Sequence, residues 1–415
     1  SPMSTNQARR RPPRRNRAPA VLLALAATAC TAHPGPAAAP AEHWLATWAP
    51  SQQLVEQRNM PPAPLAHATL RQVFRVTLGG PRVRMHFSNL FGDGPIGIGA
   101  ARLAHSAGGS AIEPESQRPL TFGGADSVTI PAGAEVTSDP LDFSVEPLSA
   151  LALTLRIGEA PAALTGHPGS RTTSYVEAGD HVPAPELPGA ATTEHWYVVA
   201  GLDVVAVGAA VVALGNSITD GRGSGTNKDD RWTDDLARRL QADPRTAHVT
   251  VLNAGLGGNC ILRACLGPPA LARFDRDVLG PAGVRWVIVF EGVNDIGGAS
   301  APGAAATVAQ GLIDAYQQMI ARAHARGLKV YGGTITPFGG SFYGGAERQA
   351  ARDTVNQWIR TSGAFDAVID FDAAVRDPAD PQRLQSALDT GDHLHPNEAG
   401  YHMIADAIPL SLFVQ

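Results

Sequence analysis

Apolar and polar positions follow two different patterns along the chain. From Trp44 to about Val205 they form short runs, alternating with the period of half-buried strands at residues 70–78 and 82–87 and followed by further short β-like runs at 96–103, 127–130, 151–157 and 196–205. Gly, Pro, Ser and Asp separate the runs, and Gly79-Gly80-Pro81 between the first two predicts a hairpin. Short strands with frequent turn signals predict an all-β sandwich, jelly-roll-like, and no useful helical periodicity precedes Asp229. From Ala209 the runs become almost wholly apolar, at 209–214, 248–252, 284–290, 328–332 and 367–370. Between and after them lie stretches of helical periodicity at 229–241, 270–279, 304–326, 346–361 and 397–408. A strand apolar on both sides is covered on both sides, which means a parallel sheet between helix layers. Five such units predict a flavodoxin-like doubly wound α/β domain with strand order 2-1-3-4-5.

The N-terminus belongs to neither pattern. Ser1-Pro2 ahead of Met3 reads as an expression remnant, six arginines between Arg9 and Arg17 as a basic leader, and residues 18–29 as a short apolar core of a secretory signal. Ala37-Ala38-Ala39 offers one cleavage site. Thr28-Ala29-Cys30 offers another, as a weak lipobox that would leave Cys30 as a lipid anchor, with the Pro/Ala-rich stretch after it as a tether. The expected organisation is remnant, signal and linker over 1–41, a β-sandwich-like accessory domain over 42–205, and a catalytic domain over 206–415. The expected location is extracytoplasmic, either secreted, periplasmic or lipid-anchored. No other apolar run reaches the ~20 residues needed to span a bilayer.

Charge narrows the partners. The 415-residue chain has a formal net charge of −5, and losing the leader removes six arginines and no acid. With Lys228 and Lys329 as its only lysines, it has no basic footprint for nucleic acid. No phosphate-binding glycine loop follows a strand, so nucleotide cofactors are not expected. Cys260 and Cys265 pair naturally in an oxidising compartment, although two buried thiols are the alternative.

In a doubly wound sheet, ligands bind beyond the carboxyl ends of the strands. Gly215-Asn216-Ser217-Ile218-Thr219-Asp220-Gly221 follows the first strand and lifts a serine hydroxyl off the sheet. Gly257-Gly258-Asn259 follows the second, Gly292-Val293-Asn294-Asp295 the third, and Asp392-His393-Leu394-His395-Pro396 comes after the fifth. A serine hydroxyl needs a positioned base. His395 fits that need, with Asp392 three residues earlier to orient its ring, and Pro396 predicts a helix entrance directly behind it. His393, next to Asp392, would point elsewhere, and His402 lies inside the last helix. Asp392, His393 and His395 could hold a metal, but no third distant ligand with matching spacing accompanies them, and none is expected. The absence of Gly-x-Ser-x-Gly argues against the α/β-hydrolase elbow.

Together these segments resemble the four blocks of the SGNH (GDSL-type) hydrolases, in the secreted bacterial subset that carries an N-terminal β-domain. Asn216 departs from the pattern, standing where the family usually has aspartate. It keeps the shape and acceptor oxygen of that residue. The resemblance implies a serine esterase with Ser217 as nucleophile, His395 as base and Asp392 as its carboxylate. It also implies an oxyanion hole from Ser217, Gly258 and Asn294, with Gly257 the second choice in the glycine run, and no metal or other cofactor. Asp295 is expected to act as a loop hydrogen bonder.

Substrates in the family range over carbohydrate acetyl esters, aryl esters, lysophospholipids and thioesters. The absence of a long apolar lid favours short acyl chains on small-molecule or glycan esters. Phe338, Phe342 and Tyr343, after the fourth strand, are expected to form one wall of the site. The alternative from another class is a glycan-binding protein whose second half is a non-catalytic scaffold.

Overall fold

Alternating apolar positions in the first half build two antiparallel sheets facing each other across one core. The computed structural model describes residues 43–414. Cys30 and Ala37–Ala39, on which the export and anchoring expectations turn, lie outside the described residues. One sheet runs His43–Trp48, Val199–Ala206, Gly80–Ser88 and Leu141–Val145, with Glu135–Thr137 also paired to Gly80–Ser88. The other is centred on Ser174–Ala178, Ala68–Arg75, Ala150–Ile157 and Ile96–Gly108. Inward residues of both, among them Phe74, Met85, Phe87, Leu153 and Leu202, form a single apolar cluster. In it Trp48 stacks on Phe74 at 4.0 Å.

The predicted hairpin across Gly79-Gly80-Pro81 is not formed. Ala68–Arg75 pairs in one sheet and Gly80–Ser88 in the other, so the glycines carry a crossover between sheets. A Cβ on Gly79 would lie 1.9 Å from the Val145 carbonyl oxygen, and one on Gly80 2.5 Å from that of Val205. These glycines serve close passage of the backbone, which looks the same in sequence as a tight turn.

The second half is a parallel five-stranded sheet in the order Val249–Gly255, Ala209–Gly215, Val284–Phe290, Lys329–Gly333, Ala367–Ile369, which is 2-1-3-4-5. Register matters for the site. Gly215 pairs with both Gly255 and Phe290, so the first three strands end level with one another. Helices cover the sheet at Trp232–Ala242, Ala304–Ala325, Ala346–Thr361 and Glu398–Asp406. Two expected helices differ in detail. The segment starting at Ala270 is α-helical only to Phe274 and continues as a π turn over Asp275–Leu279. The last helix begins at Glu398 because Asn397 caps it, its side chain accepting the Gly400 N–H, so Pro396 lies outside the helix.

Only Val207 and Gly208 separate the last sandwich strand from the first parallel strand, and the described residues lie within one compact unit. Val249–Gly255 would be an exposed sheet edge, a template for unwanted pairing. The β half covers it. Thr250 Oγ1 donates to the Ala46 carbonyl at 2.7 Å, and the Val251 N–H reaches Thr77 Oγ1 at 3.3 Å.

Candidate active site

The strand Ala209–Gly215 is buried throughout and ends where side chains no longer fit. A Cβ on Gly215 would lie 2.3 Å from Thr219 Oγ1 and 2.9 Å from the Phe290 carbonyl oxygen. Asn216 then caps a single helical turn, Ser217–Asp220, by accepting the Ile218 N–H on Oδ1 at 3.0 Å. That contact needs only an acceptor oxygen, so asparagine serves here as well as aspartate would. As the first helical residue, Ser217 has a backbone N–H with no intrahelical partner.

Ser217 Oγ lies 3.0 Å from His395 Nε2, and His395 Nδ1 lies 2.5 Å from Asp392 Oδ2. The acid–histidine spacing works through a local turn. Asp392 Oδ1 accepts the N–H groups of Leu394 at 2.9 Å and His395 at 2.8 Å, which folds the segment back on itself. With a carboxylate at Nδ1, that nitrogen carries the hydrogen and Nε2 is left to accept from Ser217. His393 turns away and pairs with Asp389 at 2.7 Å. His402 is largely exposed and lies near Asp235 and Asp406.

Burial alone would raise the Asp392 carboxyl, but the hydrogen bonds from the His395 ring and from two backbone N–H groups outweigh it and hold the group ionised. Burial lowers His395 below the ordinary histidine value. Asp392 opposes that shift, while Arg222 and Arg171 add to it. The imidazole is therefore the neutral, proton-accepting form at neutral pH.

Gly257 and Gly258 differ in what their N–H groups do. The Gly257 N–H is already spent, donating to Asp220 Oδ2 at 3.1 Å. The Gly258 N–H has no partner among the described residues, and its φ of +69° favours glycine. Asn294 Nδ2 donates to the Asn259 carbonyl at 2.8 Å, and Asn294 Oδ1 accepts from the Tyr343 hydroxyl at 2.8 Å. These two bonds fix the amide and leave its second N–H unused. Ser217, Gly258, Asn294 and His395 line one cleft of about 400 Å³.

Of the three aromatic residues expected on the wall, two line the cleft. Phe342 is 71% exposed, and Tyr343 lies beside it with ring centroids 4.4 Å apart. Phe338 does not belong there. It is fully buried in the core of the α/β half, because the loop turns its side chain inward before the glycines at 339–340. Asp295 accepts the N–H groups of Ile261 and Leu262 at 2.9 and 3.0 Å, holding the loop in which Cys260 and Cys265 are disulfide-bonded.

Sequence reasoning missed the supports beneath these groups. Arg273 is fully buried, and all five of its N–H groups have acceptors: Asn259 Oδ1, Ser51 Oγ, Asp277 Oδ2 and the carbonyls of Gly215 and Ala254. It thereby joins the end of the strand before Ser217, the loop carrying Gly258 and the β half. Asp220 is the second support. It is buried, holds Gly257, and receives His167 from the β half at 2.7 Å. Burial would raise its carboxyl, but His167, Arg171 and Arg231 outweigh that and keep it low. An acid three residues after the candidate nucleophile was a visible signal for Asp220; nothing local marked His167 or Arg273.

Glu291, directly before the third block, is buried with neither carboxyl oxygen hydrogen-bonded. Arg273 is 3.8 Å away, but its hydrogens are all engaged elsewhere. Burial pushes Glu291 up to about 8; Arg273 opposes this, and Asp295 and Asp277 reinforce it. The folded protein therefore keeps a proton that the unfolded chain loses near the ordinary carboxylate value. Stability should fall as pH rises through that interval toward 8. We expect Glu291→Gln to flatten the dependence, by on the order of a few kcal/mol. Chemical denaturation at several pH values checks this, and parallel curves for the two proteins would contradict it.

Residues 213–403 match the GDSL-like lipase/acylhydrolase family. No curated protein matches the chain. Solved structures similar to it include an acetylxylan esterase from Geobacillus stearothermophilus, at 19% identity over 48% of this chain and 93% of that one, with a TM-score of 0.37. A GDSL-like lipase from Bacteroides thetaiotaomicron is 18% identical over 49% and 87%, with a TM-score of 0.34. An alpha/beta hydrolase enzyme from the metagenome of Lake Arreo is 21% identical over 48% and 93%, with a TM-score of 0.36.

Proposed function

We propose that this chain, whose residues 213–403 match the GDSL-like lipase/acylhydrolase family, hydrolyses ester bonds, with Ser217, His395 and Asp392 as its catalytic triad and short-chain carboxylic esters as its substrates. The observation that carries this reading is the hydrogen-bonded line Ser217–His395–Asp392, facing three unspent N–H donors in one cleft.

His395 Nε2 takes the Ser217 Oγ proton as Oγ bonds to the acyl carbon. The negative charge that develops on the carbonyl oxygen meets the N–H groups of Ser217, Gly258 and Asn294. These are preorganised, so little reorganisation is needed during reaction. Asp392 stabilises the imidazolium, which then delivers its proton to the oxygen of the leaving alcohol. Water repeats the sequence on the acyl-enzyme, and Ser217 is regenerated. The disulfide-bonded loop behind Gly258 supports a location outside the cytoplasm.

Purified protein should release p-nitrophenol from p-nitrophenyl acetate, with activity declining along an acyl series from acetate to palmitate. Absence of release would remove the esterase reading; a maximum at the long chains would remove the short-chain one. The pH profile gives a separate check. Because His395 lies below its ordinary value of about 6.5, the acid limb of kcat/KM should fall below that pH. An acid limb centred above 7 would mean that another group controls the reaction.

A further inference from the structure

The cleft lining is mixed in character. Leu266, Phe342 and Tyr343 contribute apolar surface, while the β half and the turn after Ser217 contribute Arg58, Arg171 and Arg222. Three guanidiniums at one opening stand out in a chain of formal charge −5.

Arg58 and Arg222 are exposed, and their side chains have no hydrogen bond, ion pair or ring contact among the described residues. Arg171 is held in place, donating through Nη1 to the carbonyls of Gly169 at 2.9 Å and Asp220 at 3.1 Å. The cleft's carboxylates are spoken for. Glu56 accepts from Gln53 and Asn59, each at 2.7 Å, and Asp220 is turned toward His167 and the Gly257 N–H. Asp392 is committed to His395, so the charged groups of the cleft left without a partner among the described residues are the guanidiniums of Arg58 and Arg222, which a carboxylate would match.

The position of two of the arginines says which part of the substrate meets them. In the proposed reaction His395 protonates the leaving alcohol, so the alcohol lies on the His395 side of the scissile bond. Arg222 is fastened there. Its N–H donates to the Ser217 carbonyl at 2.9 Å, and its own carbonyl accepts the Tyr401 hydroxyl at 2.5 Å. The charges of Arg222 and Arg171 both reach His395, adding to the lowering that burial causes.

We infer that the alcohol portion of the substrate carries a carboxylate, received by Arg58, Arg171 and Arg222, while the acyl group lies against Leu266, Phe342 and Tyr343. This rests on the esterase reading and adds a substrate class to it. Guanidinium–carboxylate bonds are charge-assisted and directional, so the preference should be large enough to measure on small esters.

The test compares kcat/KM for 4-acetoxybenzoate with that for its neutral amide, 4-acetoxybenzamide, on one preparation at low ionic strength. The expected ratio is about tenfold or more, decreasing as salt screens the exposed arginines. Arg58→Gln and Arg222→Gln should each lower the ratio severalfold. Because both substrates are measured on the same sample, any loss of folded protein cancels. A ratio at or below one, or one that neither variant changes, overturns the inference. A second pair, mono-p-nitrophenyl adipate and p-nitrophenyl hexanoate, moves the carboxylate to the acyl side. Preference for the adipate with none for the benzoate would overturn the alcohol-side assignment. If p-nitrophenyl acetate and both acetoxy compounds are inert, the esterase reading fails and this inference with it. Hydrolysis without discrimination removes this inference alone.

Discussion

Ser217→Ala and His395→Ala should each lower ester turnover by up to about 10⁶-fold, and the double variant should be scarcely worse than either single one. The reason is the shared proton. Ser217 Oγ lies 3.0 Å from His395 Nε2, and no other group among the described residues is hydrogen-bonded to that hydroxyl. Without the imidazole the hydroxyl is too weakly acidic to attack; without the hydroxyl the imidazole has nothing to activate. The activity that remains would come from binding and the oxyanion donors, which both changes leave in place. His393→Ala serves as the control, since that ring is paired with Asp389. If His393→Ala abolishes turnover while His395→Ala spares it, the assignment of the base is wrong.

Asn294→Ala should cost on the order of 10²–10³ in kcat, with little change in KM. One amide hydrogen is committed to Asn259 and the amide oxygen receives Tyr343, so the remaining N–H is held in one direction. A donor fixed in that way contributes most when charge develops on the carbonyl oxygen, and little to the ground state. Tyr343→Phe separates positioning from contact. It keeps the ring on the cleft wall but releases the amide, and should produce a smaller fall in kcat. An Asn294→Ala effect confined to KM would make this residue a ground-state binding group.

Much of the site could be read from the chain because its chemistry sits at strand ends, and strand ends are set by local pattern. A buried apolar run followed by glycine marks where the backbone leaves the sheet. The spacing of Asp392 and His395 is closed by a turn that needs no help from the rest of the molecule. The limits also had local causes. Gly79 and Gly80 carry the same signal for a hairpin and for a crossover between sheets, and the distinction lies in the distant carbonyls of Val145 and Val205. Phe338 and Phe342 have the same chemistry in one loop, yet one is fully buried and the other is 71% exposed, because the turn between them reverses which side faces the core.

The sequence by itself determined the alternation of strands and helices, the place where each candidate catalytic group leaves the sheet, and the acid–histidine turn. All of these depend on hydrogen bonding and burial within a few residues. Only the tertiary structure decided what surrounds them. It brought His167 to Asp220 across 53 positions and Ser51 to Arg273 across 222, left the Gly258 N–H unpaired while spending that of Gly257, and set Arg58 and Arg171 of the β half on the wall of a cleft whose serine, Ser217, belongs to the other half. A buried charge must find its partners wherever the fold places them, and no local periodicity records that requirement.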